Sequence, residues 1–286
     1  MAESLPLVTD LIYDVGLHTG EDSAFYLAKG YRVVAFEANP ELIVACKTRF
    51  AADIATGRMT IVEGAITDSP EPSVRFYKHP ESGWGTASEE WVRHNSAVGV
   101  VQPVDVPAVD FVATLRRTGM PSFMKIDVEG ADRLCLEALR GFEQRPQSVS
   151  IEANPYYADS NDLQSEFALL QRLGYDRFAL IQQASIPGSA IATRTLGGRS
   201  LAFRFEQGSS GAFGSDVGPW LDVAGAQAKY KRLFFTSRVI APVVWRIKFG
   251  RGLLKWVAAH LPQRGGTGWF DTHAARSTAL DPPTFF

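Results

Sequence analysis

Leu11-Ile-Tyr-Asp14-Val-Gly16-Leu-His18-Thr-Gly20, followed by the apolar run Val33-Val-Ala-Phe-Glu37, decides the fold of this chain. An apolar run reaching an acid, a turn with two glycines, an amphipathic stretch and a second apolar run ending in an acid are the successive parts of a ribose-binding βαβ unit. Gly16 and Gly20 allow a tight turn and close approach of backbone to a ligand, and Asp14 sets a carboxylate at the carboxyl end of the first strand. Glu37, at the end of the second, is placed to accept hydrogen bonds from both ribose hydroxyls.

A dinucleotide needs Gly-x-Gly-x-x-Gly, whereas position 18 is His and position 21 is Glu. Glu21 and Asp22 add two negative charges at the helix N-terminus, where a pyrophosphate would sit. The turn therefore suits a cofactor with a ribose and a cationic centre but no phosphate, which describes S-adenosylmethionine. A plain βα turn with solvated acids is the simpler alternative.

Working outward, apolar runs alternate with helical patterns through the first two-thirds of the chain, as in βαβ units around a parallel sheet. The patterns predict strands at 11–15, 32–36, 60–63, 123–128, 148–153, 175–181 and 200–205. Helices are predicted over 21–29, 41–50 after Pro40, 111–117 capped by Asp110, from the fourth-strand turn to Arg140, and over 163–173. Residues 74–77 and 100–106 read as an inserted β pair around Gly83-Trp-Gly85-Thr86-Ala-Ser88. After Gln207 a glycine-rich stretch leads into an aromatic, basic segment, which predicts a cofactor-binding domain over 1–207 and an appended helical extension over 208–286.

The chain has 286 residues, 45% of them hydrophobic, enough for a full core. A net charge of −2 gives no global attraction for nucleic acid. The two cysteines, Cys46 and Cys135, lie far apart, which argues against a disulfide framework and for a reducing cytoplasm. The N-terminus lacks a signal-peptide pattern, and no window reaches the roughly 18–20 apolar residues that span a bilayer.

Lys125-Ile-Asp127-Val-Glu129-Gly130 is the second informative stretch. Residues two apart on a strand share a face, so Lys125 and Asp127 point the same way at the ligand-binding end of the sheet. Either the pair is an ion pair at the sheet's rim or it works chemically. Asp14-Val-Gly16-x-His18-x-Gly20-Glu-Asp, Val34-Ala-Phe-Glu37-Ala-Asn39-Pro40, Gly85-Thr-Ala-Ser88 and Lys125-Ile-Asp-Val-Glu-Gly130 together resemble the FkbM family of S-adenosylmethionine-dependent methyltransferases. The resemblance covers about residues 10–180. It implies a Rossmann-like class I methyltransferase fold, an α/β architecture with a mainly parallel seven-stranded sheet whose last strand is antiparallel, and methylation of a hydroxyl oxygen on a glycan, polyketide or other small metabolite. It also implies that Asp14, Gly16 and Gly20 line the methionine half, that Glu37 holds the ribose, and that Ala65 and Ile66 border the adenine; His18, which shapes the cofactor turn, and Ala38 are counted with the cofactor-binding residues. Asp132 stands where the family usually has Glu, and Gly-Thr-Ala-Ser replaces Gly-Thr-Ser-Ser.

Transfer to an alcohol requires loss of its proton. Asp127 is the expected general base, with Lys125 orienting it or lowering the hydroxyl pKa and Glu129 as an alternate. A second route is Mg²⁺ held by Asp127, Glu152 and Asn154. None of the five histidines pairs at zinc-ligand spacing; His273 is expected either to close over the site or to bond within its own segment. Between Asp222 and Asp271 there is no acid but nine Lys or Arg residues, interleaved with aromatics. Residues 229–264 are thus expected to form a helical lid or a peripheral contact with an anionic membrane. The alternatives to an enzyme of this kind are an inactive cofactor-binding, membrane-associated module and a dinucleotide-dependent oxidoreductase.

Overall fold

The structure, a computed structural model, describes residues 2–78, 85–88, 92, 102–128, 130–153, 160–235 and 270–280. In chain order the strands are β1 (Leu7–Val15), β2 (Arg32–Glu37), β3 (Met59–Glu63), β4 (Ala65–Ile66), β5 (Ser73–Lys78), β6 (Gln102–Val109), β7 (Met120–Ile126), β8 (Ser148–Ala153), β9 (Arg177–Gln182), β10 (Ala190–Arg194), β11 (Ser200–Arg204) and β12 (Phe270–Ala275). The helices are α1 (Glu21–Ala28), α2 (Pro40–Arg49), α3 (Ala51–Ala55), α4 (Phe111–Thr118), α5 (Asp132–Ala138), α6 (Ser160–Arg172), α7 (Val223–Phe235) and α8 (Ser277–Leu280).

Seven strands form the central sheet in the order β3-β2-β1-β7-β8-β12-β9. All its pairs are parallel except those of β12, which runs antiparallel to both β8 and β9. Every residue of β7 is buried, as a strand covered on both faces requires. Strand order reverses beside β1, so the carboxyl ends of β1 and β7 open a crevice between them. The register sets Asp14 beside Lys125 and Val15 beside Ile126.

Local chemistry accounts for the helix boundaries. Asn39 caps α2, its side chain accepting from the Glu41 amide at 3.0 Å, with Pro40 at the first helical position. Asp110 caps α4 by accepting from the Ala113 amide at 2.9 Å, and Gly119 ends that helix. The expected β pair is present as β5 and β6, antiparallel, with β4 joining β6. Cys46 and Cys135 are both buried and free.

Two expectations are corrected. The stretch 200–205 is not a strand of the central sheet. As β11 it pairs only with β10, in a hairpin whose Leu201 and Phe203 pack toward α1, with the Phe203 and Phe25 rings 4.9 Å apart. The seventh strand is β12, whose Phe-Asp-Thr-His-Ala-Ala carries polar residues that are all buried between two neighbours and so shows no period-two pattern. The stretch 208–286, expected to be a helical extension, is not helical throughout: it supplies the central strand β12. Phe213 stacks on Phe123 at 4.8 Å. Helix α7 lies on β9, with Tyr230 buried and the Lys229 Nζ donating to the Leu180 carbonyl at 3.1 Å. The remainder of the expected lid or membrane segment, residues 236–264, lies outside the described residues. Among the described residues no helix is long and apolar enough to cross a membrane.

Candidate active site

A cavity of about 750 Å³ opens at the carboxyl ends of β1, β2 and β7. Gly16 makes it possible. At φ +97° it turns the chain out of β1 so closely under β7 that a Cβ would lie 2.0 Å from the Asp127 carbonyl oxygen. The Asp127 amide in turn donates to the Val15 carbonyl at 2.8 Å, which fixes the ends of the two strands together. Gly20, at φ +87°, caps α1, and a Cβ there would meet the Phe50 ring at 2.3 Å.

Glu37 is organised by the backbone around it. Its Oε2 accepts from the His18 amide at 2.9 Å, and its Oε1 from the amides of Ala38 and Asn39 at 3.0 and 2.8 Å. Burial raises the carboxyl pKa, and the three amides oppose that rise. A carboxylate has about four lone-pair sites, so three amides leave Oε2 able to accept once more from a ligand hydroxyl.

Lys125 is the hub of a buried charge cluster. Its Nζ lies 3.1 Å from Asp127 Oδ2, 3.4 Å from Asp22 Oδ2, 3.5 Å from the Gly16 carbonyl oxygen and 3.9 Å from Asp14 Oδ1. Burial works against its charge, but the three carboxylates outweigh burial and hold its pKa well above the ordinary lysine value. Burial pushes Asp14 up to about 7 against the pull of Lys125, and raises Asp22 as well. Ser23 Oγ donates to Asp14 Oδ2 at 2.6 Å, whereas Asp14 Oδ1 has no hydrogen-bond partner among the described residues. Of the three acids around Lys125, only Asp127 reaches solvent, its side chain being 34% exposed.

At the mouth of α1 the two acids are buried, not solvated. The Ser210 amide donates to Asp22 Oδ1 at 2.8 Å. Glu21 Oε1 lies 3.4 Å from His18 Nδ1 and accepts from the Thr19 hydroxyl. Burial opposes Glu21 ionisation, but the hydrogen bonds from His18 and Thr19 bring it down to about 2, and the bond to Glu21 raises the His18 pKa.

Strand β12 adds residues that local sequence patterns did not single out. Asp271, buried beside β8, accepts from the Gln183 side-chain amide and from Ser150 Oγ at 3.4 Å. Burial, reinforced by the Asp127 charge, lifts it to about 7. Gln183 lines the cavity. His273 does not close over the site: it is buried in the sheet, parallel to the Phe123 ring at 6.5 Å with Ser150 Oγ 3.5 Å from its Nε2, and burial lowers its pKa to about 4.

Of the residues expected to bind the cofactor, Gly16, His18, Glu37, Ala38, Ala65 and Ile66 line the cavity. Asp14 does not; it lies beneath, supporting Lys125 and Ser23, and Gly20 supports the turn from behind. Lys125 and Asp127 line the cavity together. Glu129 and Asn154 lie outside the described residues. Among the described residues no group of three or more His, Cys, Asp or Glu side chains is placed to hold a metal ion, so the Mg²⁺ route has no support. Asp132 closes the turn after β7 by accepting from the Val128 amide at 3.1 Å. Missed at the sequence level were Asp22 as a partner of Lys125, Asp271, Gln183 and the wall formed by Gln207, Gly208 and Ser209.

The lining fits S-adenosylmethionine chemically. Glu21, Asp22, Glu37, Asp68, Asp127 and Glu152 line it and outnumber Lys125 and His18, an acidic surround for a sulfonium, and the apolar Phe36, Leu42 and Ile66 also line it, suited to an aromatic base.

A family model described as the methyltransferase FkbM domain matches residues 14–177, more than half of the chain. No curated protein matches it in sequence. Among solved structures, a methyltransferase FkbM from Methylobacillus flagellatus KT is 20% identical, with a TM-score of 0.38 over 60% of this chain and 40% of that one. The precorrin-6y C5,15-methyltransferase of Geobacter metallireducens GS-15 is 15% identical, with a TM-score of 0.34 over 70% of this chain and 78% of that one. The C-terminal domain of the Rhodobacter capsulatus precorrin-6Y C5,15-methyltransferase is 14% identical, with a TM-score of 0.35 over 69% and 76%.

Proposed function

The chain belongs to the FkbM methyltransferase family, and from that membership we propose that it transfers a methyl group from S-adenosylmethionine to a hydroxyl oxygen of a glycan, polyketide or other small metabolite. The observation that carries this reading is the convergence of Glu37 and the Lys125–Asp127 pair on one cavity at the carboxyl edge of the sheet. When bound, S-adenosylmethionine supplies a methyl group activated by its sulfonium. The protein's share is to align the acceptor oxygen with that methyl and to take up the acceptor's proton, and alignment accounts for most of the acceleration.

Asp127 is suited to the second task. Its Oδ2 is held by Lys125 at 3.1 Å, and the residue lines the cavity, so its carboxylate is the group to receive the hydroxyl proton. Lys125, kept charged by its three carboxylates, cannot itself serve as the base. It orients Asp127 and balances the negative charge of the cluster while the proton moves. Glu37 accepts from the ribose, and the apolar residues beside it take the adenine.

Calorimetric titration of the full chain with S-adenosylmethionine, S-adenosylhomocysteine and NAD tests the cofactor. Both sulfur nucleosides are expected to bind, and Glu37→Ala to weaken them by about tenfold or more, the scale of one charge-assisted hydrogen bond. Tight NAD binding with none of the sulfur nucleosides would overturn the reading. Transfer of labelled methyl into a panel of hydroxylated glycans and polyketides tests the chemistry. Asp127→Asn is expected to lower transfer by about 10²–10⁴-fold while leaving S-adenosylhomocysteine affinity nearly intact. A fully active variant would remove Asp127 from the mechanism.

A further inference from the structure

Gln207-Gly208-Ser209-Ser210-Gly211 runs between two buried aromatic anchors, Phe205 and Phe213, and Gln207, Gly208 and Ser209 line the cavity. The stretch is held at two places against α1 and at a third against Ile186. The Ser210 amide donates to Asp22 Oδ1 at 2.8 Å, and both residues are buried. Gly208, at φ +92°, lies so near α1 that a Cβ would be 2.8 Å from Glu21 Oε1. Gly211, at φ +95°, would set a Cβ 3.0 Å from Ile186 Cδ1. Glycine is therefore favoured at 208 and 211 by their left-handed backbone conformation. Ser209 is 2% exposed and among the described residues its hydroxyl has no hydrogen-bond partner. An unmade buried hydrogen bond costs about 1–3 kcal/mol, and Ser209 is among the residues that line the cavity.

The charges on this side identify the group that belongs here. Glu21 and Asp22 are acidic, His18 and Lys125 basic, and all four line the cavity. A mixed wall of this kind complements a zwitterion better than a single charge. The ribose and base ends are provided for elsewhere, at Glu37, Ala65 and Ile66.

We propose that residues 207–210 form part of the cofactor site, contacting the zwitterionic amino-acid tail of S-adenosylmethionine, and that Asp22 is the positioning residue that holds them there. This rests on the cofactor reading above. Asp22 Oδ2 lies 3.4 Å from Lys125 Nζ, so the segment and the reacting pair are tied to one carboxylate.

The test compares S-adenosylhomocysteine with 5′-methylthioadenosine, which has the same adenosine and sulfur but no amino-acid tail. Calorimetry on the full chain is expected to show S-adenosylhomocysteine weakened by about tenfold in Gly208→Ala and weakened in Ser209→Ala, with 5′-methylthioadenosine unchanged in both. In the wild type, the amides of residues 208–211 are expected to gain hydrogen-exchange protection with S-adenosylhomocysteine and not with 5′-methylthioadenosine, a readout that holds even if Gly208→Ala fails to fold. Equal losses for the two ligands, an unchanged S-adenosylhomocysteine affinity in both variants, or equal protection by both ligands would overturn the proposal while leaving the cofactor reading standing. A wild type that binds neither nucleoside overturns both.

Discussion

Gly16 carries no side chain because the Asp127 carbonyl oxygen occupies the place of one, 2.0 Å from an ideal Cβ. Gly16→Ala adds left-handed strain to that collision and is expected to cost about 3 kcal/mol or more of stability in chemical denaturation. Lys125→Met leaves Asp14, Asp22 and Asp127 without their shared counter-charge, and removing one partner of a buried pair costs about 3–5 kcal/mol. Because Lys125 has a raised folded pKa, its contribution is present throughout the neutral range and is lost only as pH climbs above the ordinary lysine value toward the folded one. The variant is therefore expected to be most destabilised at neutral pH and to recover as acid protonates the stranded carboxylates. A denaturation series in pH that showed no recovery would place the carboxylates elsewhere. Asp271 has the same sign in a lower window: its folded pKa of about 7 lies above its unfolded one, so its part of the stability is highest below the ordinary aspartate value and falls as pH rises to about 7. Asp271→Asn should flatten that fall. Lys125 and Asp127 were legible in the sequence because they are two apart on one strand. Asp22 and Asp271 were not, because the partners that give them a role lie 88 or more residues away.

Among the elements, α4 illustrates what short-range chemistry specifies: Asp110 at its start and Gly119 at its end delimit it in sequence and in structure alike. Asp110→Ala removes the bond to the Ala113 amide and is expected to cost about 1 kcal/mol in thermal or chemical unfolding, leaving S-adenosylhomocysteine affinity unchanged because α4 does not line the cavity. Strand β12 is the contrary case. Thr272 pairs with Ile151 on one side and Leu180 on the other, yet Asp271, Thr272 and His273 read as a polar stretch. Their burial is made possible by neighbours that no local pattern reveals: Tyr230 on Thr272, Ser150 and Gln183 on Asp271. Conversely, β11 alternates as a strand should but lies in a separate hairpin, since period two reports one buried face and not which sheet supplies it.

For the molecule as a whole, the placement of β12 between β8 and β9 means that the sheet is completed only by residues 270–275. A chain ending at Gln207 would leave β8 and β9 without their common partner and α1 without the Asp22–Ser210 and Phe213 contacts. It is expected to lose cooperative unfolding and nucleoside binding, checked by near-ultraviolet circular dichroism and calorimetry. A cooperatively folded, binding-competent fragment of that length would support the division into two units.

The sequence by itself determined the α/β class, the β1–α1–β2 cradle with Glu37 at its end, and the alignment of Lys125 with Asp127. Each of these depends on residues close enough in the chain for periodicity, capping and turn chemistry to act directly. Tertiary structure alone decided that Asp14 supports the cavity instead of lining it, that Asp22 joins Lys125 to the 207–211 segment, and that the seventh strand comes from residues 270–275. Those outcomes follow from which distant groups share a buried volume. Burial forces polar and charged groups to find partners wherever the fold brings them, and that requirement leaves no trace in the local pattern.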